Sequence, residues 1–393
     1  MRILSVVSAI IFFPYLGPLE GLDLQPFFLI SLFILFLRSK PQILPIHLVT
    51  LITVAVGIVF YGLFPTDATV TDSFFMPLVF VALMVFILSA NDENVLPIGS
   101  HFIVVVASMY IAVGLVQVFE PSFLTQLVSR STDAVGKLVE SGRGVRSLCA
   151  EPAQFGRVLV SLNAIYILLA IKERKPSINV MCTTMVLLFA NIFLAQSLYS
   201  VLIHFVVVGS FFFLCNYFKL RHRITGIAIC SVGVAVFAFY FAESRIATLI
   251  PLFLDNYEKI FEYGASNRLL SPLISIMGGL INGEMLGYRF VDSEYVKLMG
   301  QIFYLQPKLH GGYVELIYRF GVFGLIGLIC ILKITLQSRH GILKRVRGIN
   351  IFIFVYFASV PFQYGPLLNP LPLVFILICV LSNRGLRSNK IAF

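Results

Sequence analysis

What this chain has little of is charge. Asp, Glu, Lys and Arg together make up 12% of its 393 residues, against about 25% in soluble globular domains. Hydrophobic residues make up 59%. A large soluble domain is excluded on this composition, and the bilayer is the solvent to reason with. The six cysteines are Cys149, Cys182, Cys215, Cys230, Cys330 and Cys379. Only Cys149 falls in a polar stretch, and no CxxC or metal-ligand spacing occurs, so neither an intrachain disulfide framework nor a zinc site is implied. No acidic cluster or DxD-type pattern offers a seat for a divalent cation. Internal repeats and low-complexity tracts are also missing.

What is there is a series of long apolar runs, such as 102–118 and 198–213. In hydrocarbon every backbone polar group must be satisfied internally, which leaves helices or closed barrels. Barrel strands are short and alternate in polarity. These runs do neither, so they read as helices. The pattern predicts an all-α polytopic membrane protein, one transmembrane domain over 1–393, with about twelve spans. They fall near 3–18, 24–37, 43–64, 74–90, 96–118, 153–171, 177–195, 198–217, 224–242, 313–335, 350–364 and 369–382. The N-terminal run resembles a signal peptide, but it lacks a small-residue cleavage site before Glu20 and reads as the first helix.

The formal net charge of +10 is distributed with the topology. Arg38 and Lys40 follow the second helix. Lys172, Arg174 and Lys175 follow the sixth, and Lys219, Arg221 and Arg223 the eighth. Arg339, Lys344, Arg345 and Arg347 follow the tenth, and Arg384, Arg387 and Lys390 end the chain. The positive-inside rule assigns all of these, with both termini, to the cytoplasm. The basic excess is thus topological. A nucleic-acid partner is not expected, because no basic face interleaved with aromatics sits on a soluble module.

Two segments on the opposite side, 119–152 and 243–310, are longer than turns, and loops on a rigid scaffold commonly carry function. Both hold arginines that the topology rule disfavours there: Arg143 and Arg146, with Arg157 in the helix that follows, then Arg268 and Arg289. A guanidinium binds phosphate oxygens in bidentate fashion and keeps its charge at any relevant pH. Several facing one cavity make a site for a lipid-linked pyrophosphate. Each one is equally able to pair with an acid of the same segments, such as Asp133, Glu140, Glu258 or Asp292, or to anchor at headgroups. Glu151 precedes Pro152 and reads either as a helix-capping acid or as a base. His310 alone among the histidines lies in an outer segment, directly before the tenth helix. It suits general-base work or an interfacial cap. Glu315 and Arg319 are spaced i,i+4 at the outer end of that helix, as a pair satisfying itself or with one member in a cavity wall.

These residues resemble the bacterial O-antigen polymerases of the Wzy type and, more distantly, the O-antigen ligases. Arg146 to Pro152, running into a helix, is similar to that family's arginine followed by Glu-Pro or Ser-Pro. Arg268 through Gly279 and Arg289 through Gly300 each give an arginine, ten residues and a glycine. His310-Gly-Gly-Tyr-Val-Glu-Leu-Ile-Tyr-Arg-Phe-Gly321-Val-Phe-Gly324-Leu is similar to the family's His-Asn-x-x-Leu run and the Gly-x-x-Gly-Leu after it, with Gly311 where asparagine is common. The resemblance implies a fold like that of the membrane glycosyltransferases (GT-C-like) that use polyprenyl-linked donors. It implies a multi-pass enzyme of the bacterial cytoplasmic (inner) membrane, needing no metal or other cofactor. Its substrates would be undecaprenyl-pyrophosphate-linked glycans, joined into O-antigen or a related lipopolysaccharide polymer, with a chain-length regulator as a further partner. Arg143, Arg146, Arg157, Arg268, Arg289 and Arg319 would hold pyrophosphate or glycan, and His310 or Glu151 would take the acceptor proton. A ligase and a repeat-unit flippase are the competing readings. Flippases line a lumen with arginine but commonly show internal repeats, which this chain lacks.

Overall fold

The computed structural model describes residues 9–17, 98–128, 144–218, 313–336, 346–363 and 369–384, with single residues between 25 and 34, at 52, and between 222 and 235. Among the described residues the chain is mostly helical and contains no strand. One isolated antiparallel bridge joins Leu16 to Val128. In chain order the helices are α1 (Ser100–Phe119), α2 (Pro152–Lys172), α3 (Ser177–Ala190), α4 (Leu198–Leu214), α5 (Tyr313–Leu336), α6 (Ile349–Gln363) and α7 (Pro370–Arg384). A π-helical turn, Asn191–Ala195, extends α3. Among the described residues three helices are long and apolar enough to cross a membrane: α1, α2, and α3 with its π-turn. The expected spans at 74–90 and most of 43–64, and the outer segment 243–310, lie outside the described residues.

Local sequence sets the helix ends. Pro152 occupies the first position of α2, where its missing N–H costs nothing. Pro370 follows Asn369 in the same way, and Asn369 Oδ1 accepts a hydrogen bond from the Leu371 N–H at 3.1 Å, an N-cap. The first expected span, 3–18, ends earlier than its apolar run. Ala9 and Ile10 are helical, but from Ile11 the chain goes into turns bonded Phe12 to Ala9, Phe13 to Ile10 and Leu16 to Phe13. Pro14 is the physical reason, since it disfavours helical backbone at Phe13 and has no N–H to continue the ladder.

Helix α2 is the axis of the bundle. Every residue from Phe155 to Ile171 is buried, and α1, α3, α4 and α7 surround it. Helix α1 turns Ile103, Val106, Ala107, Tyr110, Gly114 and Gln117 inward. Its other side exposes Val105, Met109, Leu115 and Val118, a face suited to lipid. Ring contacts carry the core from α4 through α6 to α7: Phe211 to Phe352 at 5.4 Å, and Tyr356 to Phe375 at 4.1 Å.

Polar side chains on α2 are met by its neighbours. The Tyr356 hydroxyl of α6 donates to Ser161 Oγ at 2.8 Å. Asn163 Nδ2 lies 2.7 Å from His204 Nε2 on α4, whose Nδ1 lies 3.0 Å from Asn191 Nδ2 in the π-turn. Ser200 Oγ donates to Asn191 Oδ1 at 2.9 Å. Gly156 lets these groups come close, for a Cβ there would stand 2.1 Å from Ser200 Oγ and 2.6 Å from Asn191 Oδ1.

The connections gather at two ends. At one, the Ser100 N–H and hydroxyl both donate to the Glu173 carboxylate at 2.6 Å, tying the start of α1 to the end of α2. The Tyr217 hydroxyl donates to the Lys175 carbonyl at 2.5 Å, and the Asn216 N–H to the Arg347 carbonyl at 2.8 Å. Gly348, at φ +88°, is pressed on the Leu214 carbonyl, with no room for a side chain. Arg174, Lys175 and Arg347 therefore share one end. At the other, the Val145 N–H donates to the Leu194 carbonyl at 2.8 Å, and Asn369 Nδ2 to the Tyr15 hydroxyl at 3.2 Å.

Burial opposes ionisation of Glu173, but the two Ser100 bonds and the Lys175 ammonium 3.5 Å away outweigh it and hold the carboxyl below its ordinary range. A lowered folded pKa means that its stabilisation is present at neutral pH and lost as pH falls below the ordinary value of 4.5 and through the folded one. The melting temperature of Glu173→Gln in detergent is expected to lie below wild type near neutral pH, and the gap to close on acidification. A gap independent of pH would overturn this. At Gly156, valine is expected to destabilise the bundle by about 1–3 kcal/mol, the range for overpacking a tight core. Alanine at Gly209, where the nearest atom would be 3.9 Å away, is expected to melt as wild type does.

Candidate functional site

The described half of the expected arginine site is the stretch from Gly144 to Glu151 and the first turns of α2. Gly144 lies against the Leu194 and Ala195 carbonyls, where a Cβ would come within 2.4 Å of each. Arg146 opens a turn closed by the Cys149 N–H donating to its carbonyl at 3.1 Å. Ser147, second in that turn, has φ +53°, a left-handed conformation usual for glycine and strained for serine. Gln117 of α1 holds it. Its Oε1 accepts the Ser147 N–H at 2.7 Å, and its Nε2 donates to the Ser147 carbonyl at 3.1 Å and to the Phe123 carbonyl at 2.8 Å. The Ser147 hydroxyl donates to the Tyr110 carbonyl at 2.6 Å.

The two arginines of this stretch are inside the protein. Arg146 is 5% exposed and Arg157 is 7% exposed. Arg157 lies in the second turn of α2, four residues before Ser161 and hence on the stripe that meets Tyr356. A guanidinium does not give up its proton on burial, so each is a fixed positive charge in surroundings of low polarity, where its pull on an anion is strongest.

Glu151 stands in the N-cap position of α2, half-buried, yet its side chain makes no capping hydrogen bond. Gln154, in the first turn of α2, reaches back instead to the residue before the cap, its Oε1 accepting the Ala150 N–H at 3.1 Å. The carboxylate still lies where the helix dipole favours negative charge. Cys149 is fully buried beside this turn. Burial pushes its thiol well above the usual value, and the Arg146 charge draws it back by less.

The structure brings Arg146, Glu151 and Arg157 to one end of the bundle, where the stretch from Gly144 runs into α2. Arg143, Arg268, Arg289 and His310 lie outside the described residues. Arg319 has helical backbone in the second turn of α5. Among the described residues no three His, Cys, Asp or Glu side chains come together as metal ligands would. Sequence reasoning passed over Gln117, whose single signal was a lone amide within the apolar run 102–118. His204 is enclosed between two asparagines, Asn163 and Asn191. No known protein family matches this chain, and no curated protein matches it either.

Cys149 is expected to resist N-ethylmaleimide in the folded, detergent-solubilised protein at mildly alkaline pH and to react once the protein is denatured, as read by peptide mass spectrometry. Reaction in the folded state at the rate of a free thiol would contradict the burial described here.

Proposed function

We propose that this protein is a membrane-embedded polysaccharide polymerase that joins undecaprenyl-pyrophosphate-linked repeat units at the outer face of the bacterial cytoplasmic membrane. One observation carries the reading: two guanidinium groups, Arg146 and Arg157, are buried at the end of the bundle opposite Arg174, Lys175 and Arg347. By the positive-inside rule the end with these three faces the cytoplasm, so the buried arginines lie toward the outer leaflet. The resemblance of Arg146–Pro152, Arg268–Gly279, Arg289–Gly300 and the run from His310 to O-antigen polymerases points the same way. The architecture belongs with about twelve spans and a GT-C-like site between them.

In the proposed reaction an acceptor sugar hydroxyl attacks the anomeric carbon of the donor glycan. The new glycosidic C–O bond forms as the bond to pyrophosphate breaks. Undecaprenyl pyrophosphate leaves with the bonding electrons, and the hydroxyl proton passes to His310, with Glu151 as the other available base. Negative charge grows on the leaving group in the transition state. Arginines fixed in advance stabilise it there, each worth on the order of 3 kcal/mol in a site that excludes water. Arg143, Arg146, Arg157, Arg268, Arg289 and Arg319 are the arginines assigned to pyrophosphate and glycan.

In a strain deleted for the gene, surface polysaccharide capped by single repeat units is the expected result, read on gels alongside mass spectrometry of lipid-linked intermediates. Arg146→Ala, Arg289→Ala and His310→Ala are each expected to lower polymer yield about 100-fold at normal membrane level. Full-length polymer accumulating on undecaprenyl pyrophosphate would instead identify a ligase. Single units trapped on the cytoplasmic leaflet would identify a flippase. Full activity in all three variants would refute the site.

A further inference from the structure

The geometry points to Gln117 as a positioning residue that fixes Arg146 for a polyprenyl pyrophosphate. The inference rests on the pyrophosphate reading of Arg146 given above. Arg146 sits between two anchored neighbours. On one side the Val145 N–H is bonded to the Leu194 carbonyl at the end of α3. On the other, the backbone of Ser147 is read on both its polar groups by one side chain, the Gln117 amide, at 2.7 and 3.1 Å. The same amide binds the Phe123 carbonyl at 2.8 Å, which links the chain leaving α1 to the chain arriving at α2.

Ser147 shows why such a device is needed. Serine in the left-handed region is held there against its own preference, and strained backbone persists only where the surroundings over-determine it. Without the amide, Ser147 relaxes toward ordinary backbone and the Arg146 Cα turns with it. The Arg146 guanidinium then loses its direction while keeping its charge. Gln117 is 2% exposed and reaches this turn from the stripe of α1 that also carries Tyr110 and Gly114. Tyr110 adds its carbonyl to the Ser147 hydroxyl, and Gly114 leaves room for Val145, whose Cγ2 would be 3.4 Å from a Cβ. Gln117 acts through the backbone of the residue next to Arg146.

The test uses the full-length protein in nanodiscs with farnesyl pyrophosphate as probe, binding being read by calorimetry. Wild type is expected to bind, and Arg146→Ala to lose binding. Gln117→Met, similar in volume, is expected to weaken binding about tenfold, the worth of one or two buried hydrogen bonds. Glycine enters the left-handed region without strain, so Ser147→Gly in the Gln117→Met background is expected to recover about half of that loss on a logarithmic scale. A role of Gln117 in helix packing alone would not be rescued from position 147. Maleimide labelling of Cys149, two residues beyond Ser147, reports the clamp without any ligand and is expected to be at least tenfold faster in Gln117→Met. Where that variant is not recovered folded, Gln117→Asn, which keeps the amide but shortens its reach to Ser147, is expected to weaken binding in the same direction by about threefold or more. Wild-type affinity in Gln117→Met, or in Gln117→Asn where that is the variant recovered, with Arg146→Ala impaired, would overturn the positioning role and leave the pyrophosphate reading standing. No probe binding by wild type would overturn the pyrophosphate reading, and the positioning role with it, while Cys149 labelling would still show whether the clamp exists.

Discussion

Helix α2 has no face turned to lipid, and that constraint organises the rest. A polar group on a helix enclosed on every side cannot borrow a partner from water or headgroups, so a neighbouring helix must supply one. Tyr356 answers Ser161 from α6, and His204 answers Asn163 from α4. Gly156 supplies space rather than a bond, and so admits the Asn191–Ser200 pair to the surface of α2. Each of these contacts fixes a helix in rotation as well as in distance, which apolar contacts between Leu, Ile and Val do only weakly. The bundle is filled by hydrocarbon and set in register by a few amides and hydroxyls.

The same logic explains the irregular stretch before α2. Irregular backbone buried inside a protein is stable only where its polar groups find partners there. Leu194, Gln117 and Tyr110 do this for Val145 and Ser147. The segment bearing Arg146 is consequently as well anchored as the helices around it, although it belongs to no helix. The turn from α3 into α4 contributes through its π-helical geometry, since Asn191 to Ala195 present Leu194 to this segment and Asn191 to His204.

Much of the helical layout was legible in the sequence. The runs at 96–118, 153–171, 177–195, 313–335, 350–364 and 369–382 meet helices whose ends differ by a few residues, because a run's length and composition are what hydrocarbon selects. The helix expected over 3–18 failed at Pro14, a breaker visible in the run but outweighed by its apolarity. Rotation was not legible. A helix apolar all round has no polar face from which to read a phase, so nothing marked Tyr110, Gly114 and Gln117 as one inward stripe. Of the site, Arg146 and Arg157 were chosen for their charge, and both proved to be inside the protein. The support behind Arg146 was hidden, because a lone glutamine in an apolar run carries no hint of the distant turn it reaches.

The enclosure of α2 also bears on how the chain enters the membrane. Of the three helices that, among the described residues, are long and apolar enough to span, α2 is the least apolar. Standing alone in lipid it would present Arg157, Ser161 and Asn163 to hydrocarbon, at a cost that only companions remove. Helix α1 precedes it in the chain, whereas α3, α4 and α7 follow. The enclosure of α2 is therefore complete only after α3, α4 and α7, which follow it in the chain, have been made. The last of the described helices to be made is thus a structural requirement of one made early.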